Sequence, residues 1–119
     1  VADTKVSSDD AVVERIAVIA ADADGLVAKC DQGKRLVYAW ARIVNIMGVM
    51  VDHHYAGRIM LLTFEIRDER TILLNELEPA WRSVVASLQR HLRGALPFSL
   101  WGSQLVQRPG FTEVYQASL

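Results

Sequence analysis

The sequence predicts a mostly-β α+β domain. The expected body is a bent antiparallel sheet or partly open barrel. One C-terminal amphipathic helix at about 79–93 packs it, and an irregular or strand tail follows. Three observations carry this. Ile59–Ile66 is apolar at nearly every position, Arg67-Asp68-Glu69-Arg70 is a charged turn, and Thr71–Leu77 returns at comparable length, as an antiparallel hairpin requires. Leu36, Tyr38 and Trp40 alternate with Val37, Ala39 and Ala41, the two-residue period of a strand. Trp81, Val84, Val85, Leu88 and Leu92 form one helical stripe.

Taken in order, residues 1–10 are polar and expected to fray. Val12–Ala21 fits two templates. Val12, Val13, Ile16, Ile19 and Ala20 share a helical face with Ser8 or Asp9 as cap, while Ile16, Val18 and Ala20 alternate as a strand does. Turn chemistry at Asp22-Ala23-Asp24-Gly25 and Asp31-Gln32-Gly33-Lys34 brackets Leu26–Cys30, so a hairpin over 14–30 is the economical reading. From Trp40 the apolar spacing changes to three and four (Trp40, Ile43, Ile46, Met47), which suggests a helical turn or bend leading into another strand, with Gly48 as a bulge. Met50–Tyr55 reads as extended and Ala56-Gly57 as its end. The covered apolar strand Ile59–Ile66 is expected to lie buried on both sides or inside a barrel. Pro79 opens the helix, Gly94 closes it, and Arg90 and Arg93 complement its carboxyl end. Beyond it, Phe98, Leu100 and Trp101 are expected to pack back onto the body, before a turn at Arg108-Pro109-Gly110 and the segment Phe111–Tyr115.

The chain has 119 residues, 51% hydrophobic, with 13 Lys+Arg against 14 Asp+Glu and a formal net charge of -1. That length predicts one domain over 1–119 with a sizeable core. The balance excludes a strongly basic nucleic-acid binder and a mostly disordered chain. The single cysteine, Cys30, allows no internal disulfide and points to a reducing compartment, hence a cytoplasmic protein. No run of apolar residues is long enough for a transmembrane helix. The start at Val1 leaves a processed or truncated beginning open.

The texts "YAWARIVNI", "TFEIRDERTILLNELEPAW" and "WRSVVASLQRHLRGALPFSLW" resemble a group of uncharacterised bacterial domains that look pleckstrin-homology-like. The resemblance spans roughly residues 14–119 and rests on pattern and aromatic anchors. It implies a small, strongly bent antiparallel sheet or barrel closed at one end by the helix, and it transfers no catalytic residue. Two departures stand out. About 25 residues follow the helix, where a pleckstrin-homology domain usually ends, and the basic phosphoinositide-binding loop has no obvious counterpart.

Asp52-His53-His54 is the most suggestive chemical cluster. On a strand, neighbouring side chains point to opposite faces; in a loop the three could share one metal. Exposed loop histidines are the commoner outcome, and the spacing lacks the i, i+4 pattern of helical zinc sites. Glu65, inside the apolar strand, is either a general base raised by burial or a solvent-facing partner of Arg67 or Arg70; the second is favoured. Glu76 and Glu78 suit the positive end of the helix dipole. Arg82, Arg90, Arg93 and Arg108 form a candidate face for an anionic partner or membrane surface, against the commoner reading of a solvated helix face. Trp81, Trp101 and Phe98 read as core anchors. No phosphate-binding glycine loop or nucleophile elbow is present in the sequence, so no cofactor is expected. The expectation is a non-enzymatic binding or interaction module with an unknown protein partner or self-association through an exposed strand. The alternatives are a small metal-dependent enzyme using Asp52, His53 and His54, and an immunity- or antitoxin-like protein that caps a partner.

Overall fold

The computed structural model describes residues 16–117. The expected frayed start and the segment 11–15, with its alternative helix cap, lie outside the described residues. In chain order the elements are β1 (Ile16–Asp22), β2 (Gly25–Cys30), β3 (Arg35–Ala39), a 3₁₀ turn at Trp40–Arg42, β4 (Ile43–His53), β5 (Gly57–Ile66), β6 (Ile72–Asn75), α1 (Trp81–His91), α2 (Phe98–Gln107) and β7 (Phe111–Gln116). The strands form two antiparallel sheets, ordered β1-β2-β3 and β6-β5-β4-β7. The α+β class stands. The expected single bent sheet or partly open barrel is instead two sheets that do not close.

The hairpin signal at 14–30 corresponds to β1 and β2, and within 16–21 the strand alternation prevails. Asp22 makes the turn: its Oδ1 accepts from the backbone N–H groups of Asp24 (2.9 Å) and Gly25 (3.3 Å). Gly25 then runs against β3 so closely that a Cβ there would lie 2.1 Å from the Tyr38 carbonyl oxygen. Only a residue without a side chain fits.

The change of period at Trp40 is the 3₁₀ turn, which redirects the chain from the small sheet into the large one. Trp40 fixes that junction by donating its indole N–H to the Asp22 carbonyl at 2.7 Å. The following β4 is the organising strand, paired with β5 along its whole length and with β7 over Asn45–Val49. Its register shifts fall at Ile43/Asn45 and Ile46/Met47, so Gly48 is not the expected bulge. It is a contact point. A Cβ on Gly48 would lie 3.0 Å from Trp101 Cε3 and 3.1 Å from Leu105 Cδ1. The bare backbone there lets α2 settle onto the sheet.

The helical stripe is real but shorter than expected. It runs Trp81–His91, with Trp81, Val84 and Leu88 buried and Leu92 buried just beyond. Pro79 sits in the turn before it, not in its first turn. Glu76 and Glu78 do not act through the dipole. Glu76 Oε1 accepts from the Met60 N–H at 2.6 Å and its own N–H donates to the Met60 carbonyl, so it extends the β5–β6 ladder. Glu78 Oε2 closes the turn on the Asn75 N–H at 2.8 Å.

The largest correction concerns the tail. Phe98–Gln107 is a second helix rather than irregular chain, and the last strand returns beside β4. Trp101 is 1% exposed and Leu105 fully buried, whereas Phe98 and Leu100 remain partly exposed. Trp81, Phe98 and Trp101 meet edge to face, with centroids 4.8–6.5 Å apart. One core results. It joins Val18, Leu26 and Ala28 of the small sheet to Ile46, Leu62 and Phe64 of the large one, with both helices between.

Two tests follow from this packing. Gly48→Ala must push Trp101 and Leu105 away and lowers unfolding free energy in urea by about 1–3 kcal/mol. Gly25→Ala, whose Cβ meets rigid backbone, costs more than Gly48→Ala in the same assay; equal or opposite ranking contradicts the geometry. Buried Tyr38 supplies a pH test. Burial, and secondarily the Glu69 carboxylate, hold its phenol above the usual value of 10.0. The folded state therefore keeps the proton longer than the unfolded chain. Its contribution is complete below pH 10 and is lost as pH rises through the raised value. Alkaline melting curves should show that loss, and Tyr38→Phe should flatten it.

Candidate functional site

Asp52, His53 and His54 occupy the far end of the β4–β5 hairpin, and each is engaged separately. Asp52 faces Arg58 across the strands at 4.0 Å, a solvent-exposed pair of little energetic weight. His53 Nδ1 accepts from the backbone N–H groups of Tyr55 (3.2 Å) and Ala56 (3.1 Å), closing the turn. With Nδ1 accepting, the neutral ring carries its hydrogen on Nε2, which is left as a donor. His54 stacks parallel on His53 at 5.6 Å and tilts against Tyr55 at 4.2 Å. Among the described residues no group of three or more His, Cys, Asp or Glu side chains converges. His91 stacks on Trp40 at 4.9 Å, beside the start of β4, whereas His53 ends that eleven-residue strand. At about 3.4 Å per residue the two lie about 30 Å apart.

Of the candidate arginines two lie on α1, one just after α1 and one just after α2. Arg82 and Arg90 lie exposed on α1. Arg93 borders a depression of about 570 Å³ with Arg67, His91, Trp40 and Tyr115. Arg108 follows α2 and borders another with Gln104, Phe111 and Thr112. Sequence reasoning missed Arg67, which reads as a turn residue. The fold sets it beside the end of α1. Glu65 is exposed, as the solvent-facing reading has it.

The feature that sequence reasoning located least well is a surface. Strand alternation gives the large sheet two faces. Ile46, Gly48, Leu62, Phe64 and Val114 point inward, to the core and helices. The opposite set is read directly from the register. Thr63 pairs with Leu73 and with Met47, Met47 with Glu113, Leu61 with Val49, Val49 with Phe111, and Val51 with Ile59. None of these outward residues belongs to the core cluster or packs against it. Phe111 is 74% and Leu73 50% exposed; Met47, Val49, Val51 and Leu61 are half-buried by their strand neighbours; Ile59 is 4% exposed. A sheet with one solvated face ordinarily carries polar residues there. Here Leu73, Leu61, Met47, Val49, Val51 and Phe111 are apolar, with Thr63, Asn75 and Glu113 among them.

The face is also polar in a graded way. At one end Asn45 donates to Glu113 Oε2 (3.3 Å) and Gln116 Oε1 (2.7 Å) and stands opposite Glu65. At the other end stands His53, opposite Gly57. Carboxylates thus mark one end and an imidazole donor the other, with no charged side chain on the outward strand positions between the carboxylates and His53.

Comparison with family models, curated proteins and solved structures finds no match for this chain. No helix among the described residues is long and apolar enough to cross a membrane.

The turn-closing role of His53 is testable. His53→Ala removes two backbone contacts and should lower stability by about 1 kcal/mol, with the loss unaffected by added zinc. A larger, zinc-dependent loss would assign the imidazole to a metal instead.

Proposed function

We propose that this chain is a non-enzymatic interaction module with a pleckstrin-homology-like body, and that it docks a protein partner on the outer face of the large sheet. The apolar outer face carries the reading. Both helices pack on the inner side, and Met47, Val49, Val51, Leu61, Leu73 and Phe111 lie outside the core cluster. The pleckstrin-homology-like reading is supported by the strand-rich antiparallel body and the amphipathic helix α1 that packs on it. The strand after the helices is the departure from that pattern.

The face sets the chemistry of its occupant. A patch four strands wide at about 4.8 Å per strand and three residue rows tall at about 6.8 Å per row covers roughly 400 Å². Its apolar positions are Leu73 on β6, Ile59 and Leu61 on β5, Met47, Val49 and Val51 on β4 and Phe111 on β7, with Thr63, Asn75 and Glu113 beside them. A fitting partner is itself flat and apolar at its centre, with a donor or cation over Glu65 and Glu113 and an acceptor over His53.

The test contrasts adjacent residues on opposite faces. Leu62→Ala, in the core, should cost about 2–5 kcal/mol. Leu61→Lys, on the outer face, should change stability by less than about 1 kcal/mol and abolish binding of an apolar fluorescent dye by the dilute monomer. Unfolding of Leu61→Lys, or a wild-type monomer that binds no dye, would remove the outer face as a docking surface.

A further inference from the structure

We infer that the partner on this face is a second copy of the same chain, packed face to face about a two-fold axis perpendicular to the strands. The inference rests on the reading of the outer face as a docking surface and adds the identity and orientation of its occupant.

Charge complementarity under symmetry selects this occupant and its orientation. A closed pair uses the same patch on both copies, so the patch must complement itself. Two sheets meeting face to face can relate their strands in two ways. With the axis along the strands, like ends meet, and Glu65 and Glu113 of one copy fall on Glu65 and Glu113 of the other. That places carboxylates together at the rim of an apolar contact. With the axis perpendicular to the strands, opposite ends meet. His53 of each copy then lies over Asn45 of the other, whose strand neighbours are Glu65 and Gln116 and whose carboxamide donates to Glu113 of the adjoining row.

The register fixes what meets in between. With the axis passing through the row that holds Leu61, Val49 and Phe111, Val51 of one copy sits over Met47 of the other. The Met47 row, which also carries Thr63 and Glu113, therefore lies over the row of Val51 and Ile59, and the polar ends meet. The His53 ring is already held by the Tyr55 and Ala56 N–H groups on Nδ1, so its donor nitrogen is oriented before the copies meet. On the other side, the carboxamide of Asn45 holds Glu113 in place at 3.3 Å.

Size sets the strength. Two faces of this extent bury roughly 800 Å² in total, short of the about 1,000 Å² of a stable specific interface. The dimer is accordingly weak, and it forms at high micromolar concentration rather than at low.

Sedimentation of the whole chain from low micromolar to high hundreds of micromolar tests the pairing. The expected result is a reversible monomer–dimer equilibrium. Leu61→Lys, verified as folded, should weaken it at least about tenfold. His53→Glu, which sets a third carboxylate among the other two, should weaken it as well, and adding Glu65→Lys and Glu113→Lys to that variant should restore it. Orientation is read with a short bifunctional maleimide at concentrations where the dimer is populated. A mixture of Met47→Cys and Val51→Cys chains should cross-link, while neither variant alone should. A strict monomer throughout would overturn the second copy as partner. It would leave the docking face standing, since that reading fails by the Leu61→Lys stability and dye measurements. A dimer that survives Leu61→Lys unchanged, or Met47→Cys chains that cross-link among themselves, would overturn the proposed arrangement.

Discussion

The seating of Trp101 on the bare backbone of Gly48 is the contact on which the large sheet depends. β4 is long, and β5 satisfies only one of its edges. Its other edge needs a strand, and the chain supplies one only after two helices. Those helices must therefore end where β7 can turn back along β4. The indole of Trp101 and the side chain of Leu105 press against Gly48 from the inner side and set the height and direction of α2. Thr112 ties the returning strand to the same helix by donating to Gln104 Oε1 at 2.9 Å. The Met50 N–H donates to the Gly110 carbonyl just before β7 begins. A side chain at position 48 would move the helix, and with it the strand.

That arrangement puts every covering element on one side. α1 and α2 both spend their buried stripes on the inner face, and the small sheet faces the same core through Val18, Leu26 and Ala28. The inner residues are then fully accounted for by folding. The outer residues are not, since polar β-formers such as Thr would hold the strands equally well. Thr63 shows as much, sitting between Met47 and Leu73 on that face. The apolar side chains at the neighbouring positions are the ground for the proposed docking face. That inference separates the surface from an ordinary scatter of exposed hydrophobic residues.

Elements with one dominant local signal were legible in the sequence. The charged turn at 67–70, the Asx turn at Asp22 and the α1 stripe each follow from residues a few positions apart. Elements defined by distant partners were not. α2 has no charged residue, no side-chain cap and a central glycine, so its only periodic mark is Trp101 with Leu105; its helicity is stabilised by the sheet beneath it. Gly48 carries the local signature of a bulge, and only the position of Trp101 shows that it marks a close approach. The apolar run Ile59–Ile66 led to an expectation of burial on both sides. Its alternate residues are indeed apolar on both sides: Leu62, Phe64 and Ile66 are buried on one, while on the other Ile59 is buried, Leu61 and Thr63 are half-buried and Glu65 is exposed. Composition cannot tell a strand buried twice by its own chain from one buried once by its chain and once by a partner.

The same consideration recasts the histidines. Sequence placed Asp52, His53 and His54 together and invited a shared ligand. Folding separates their tasks: Asp52 faces Arg58, His54 stacks, and His53 closes the hairpin. The hydrogen bonds to Nδ1 occupy one of the two nitrogens a metal would use, and they fix the tautomer that leaves Nε2–H as a donor. A fixed donor at one end of a flat apolar face has little to contribute to the monomer, where water satisfies it. It becomes selective when a carboxylate is brought to it in a defined orientation. Glu65 and Glu113 lie at the opposite end of that face, where the perpendicular two-fold pairing would bring the donor. The apolar rows allow two copies to stack in either sense, and the polar ends choose between the senses. In the proposed pairing, affinity and orientation would fall to different residues of one surface.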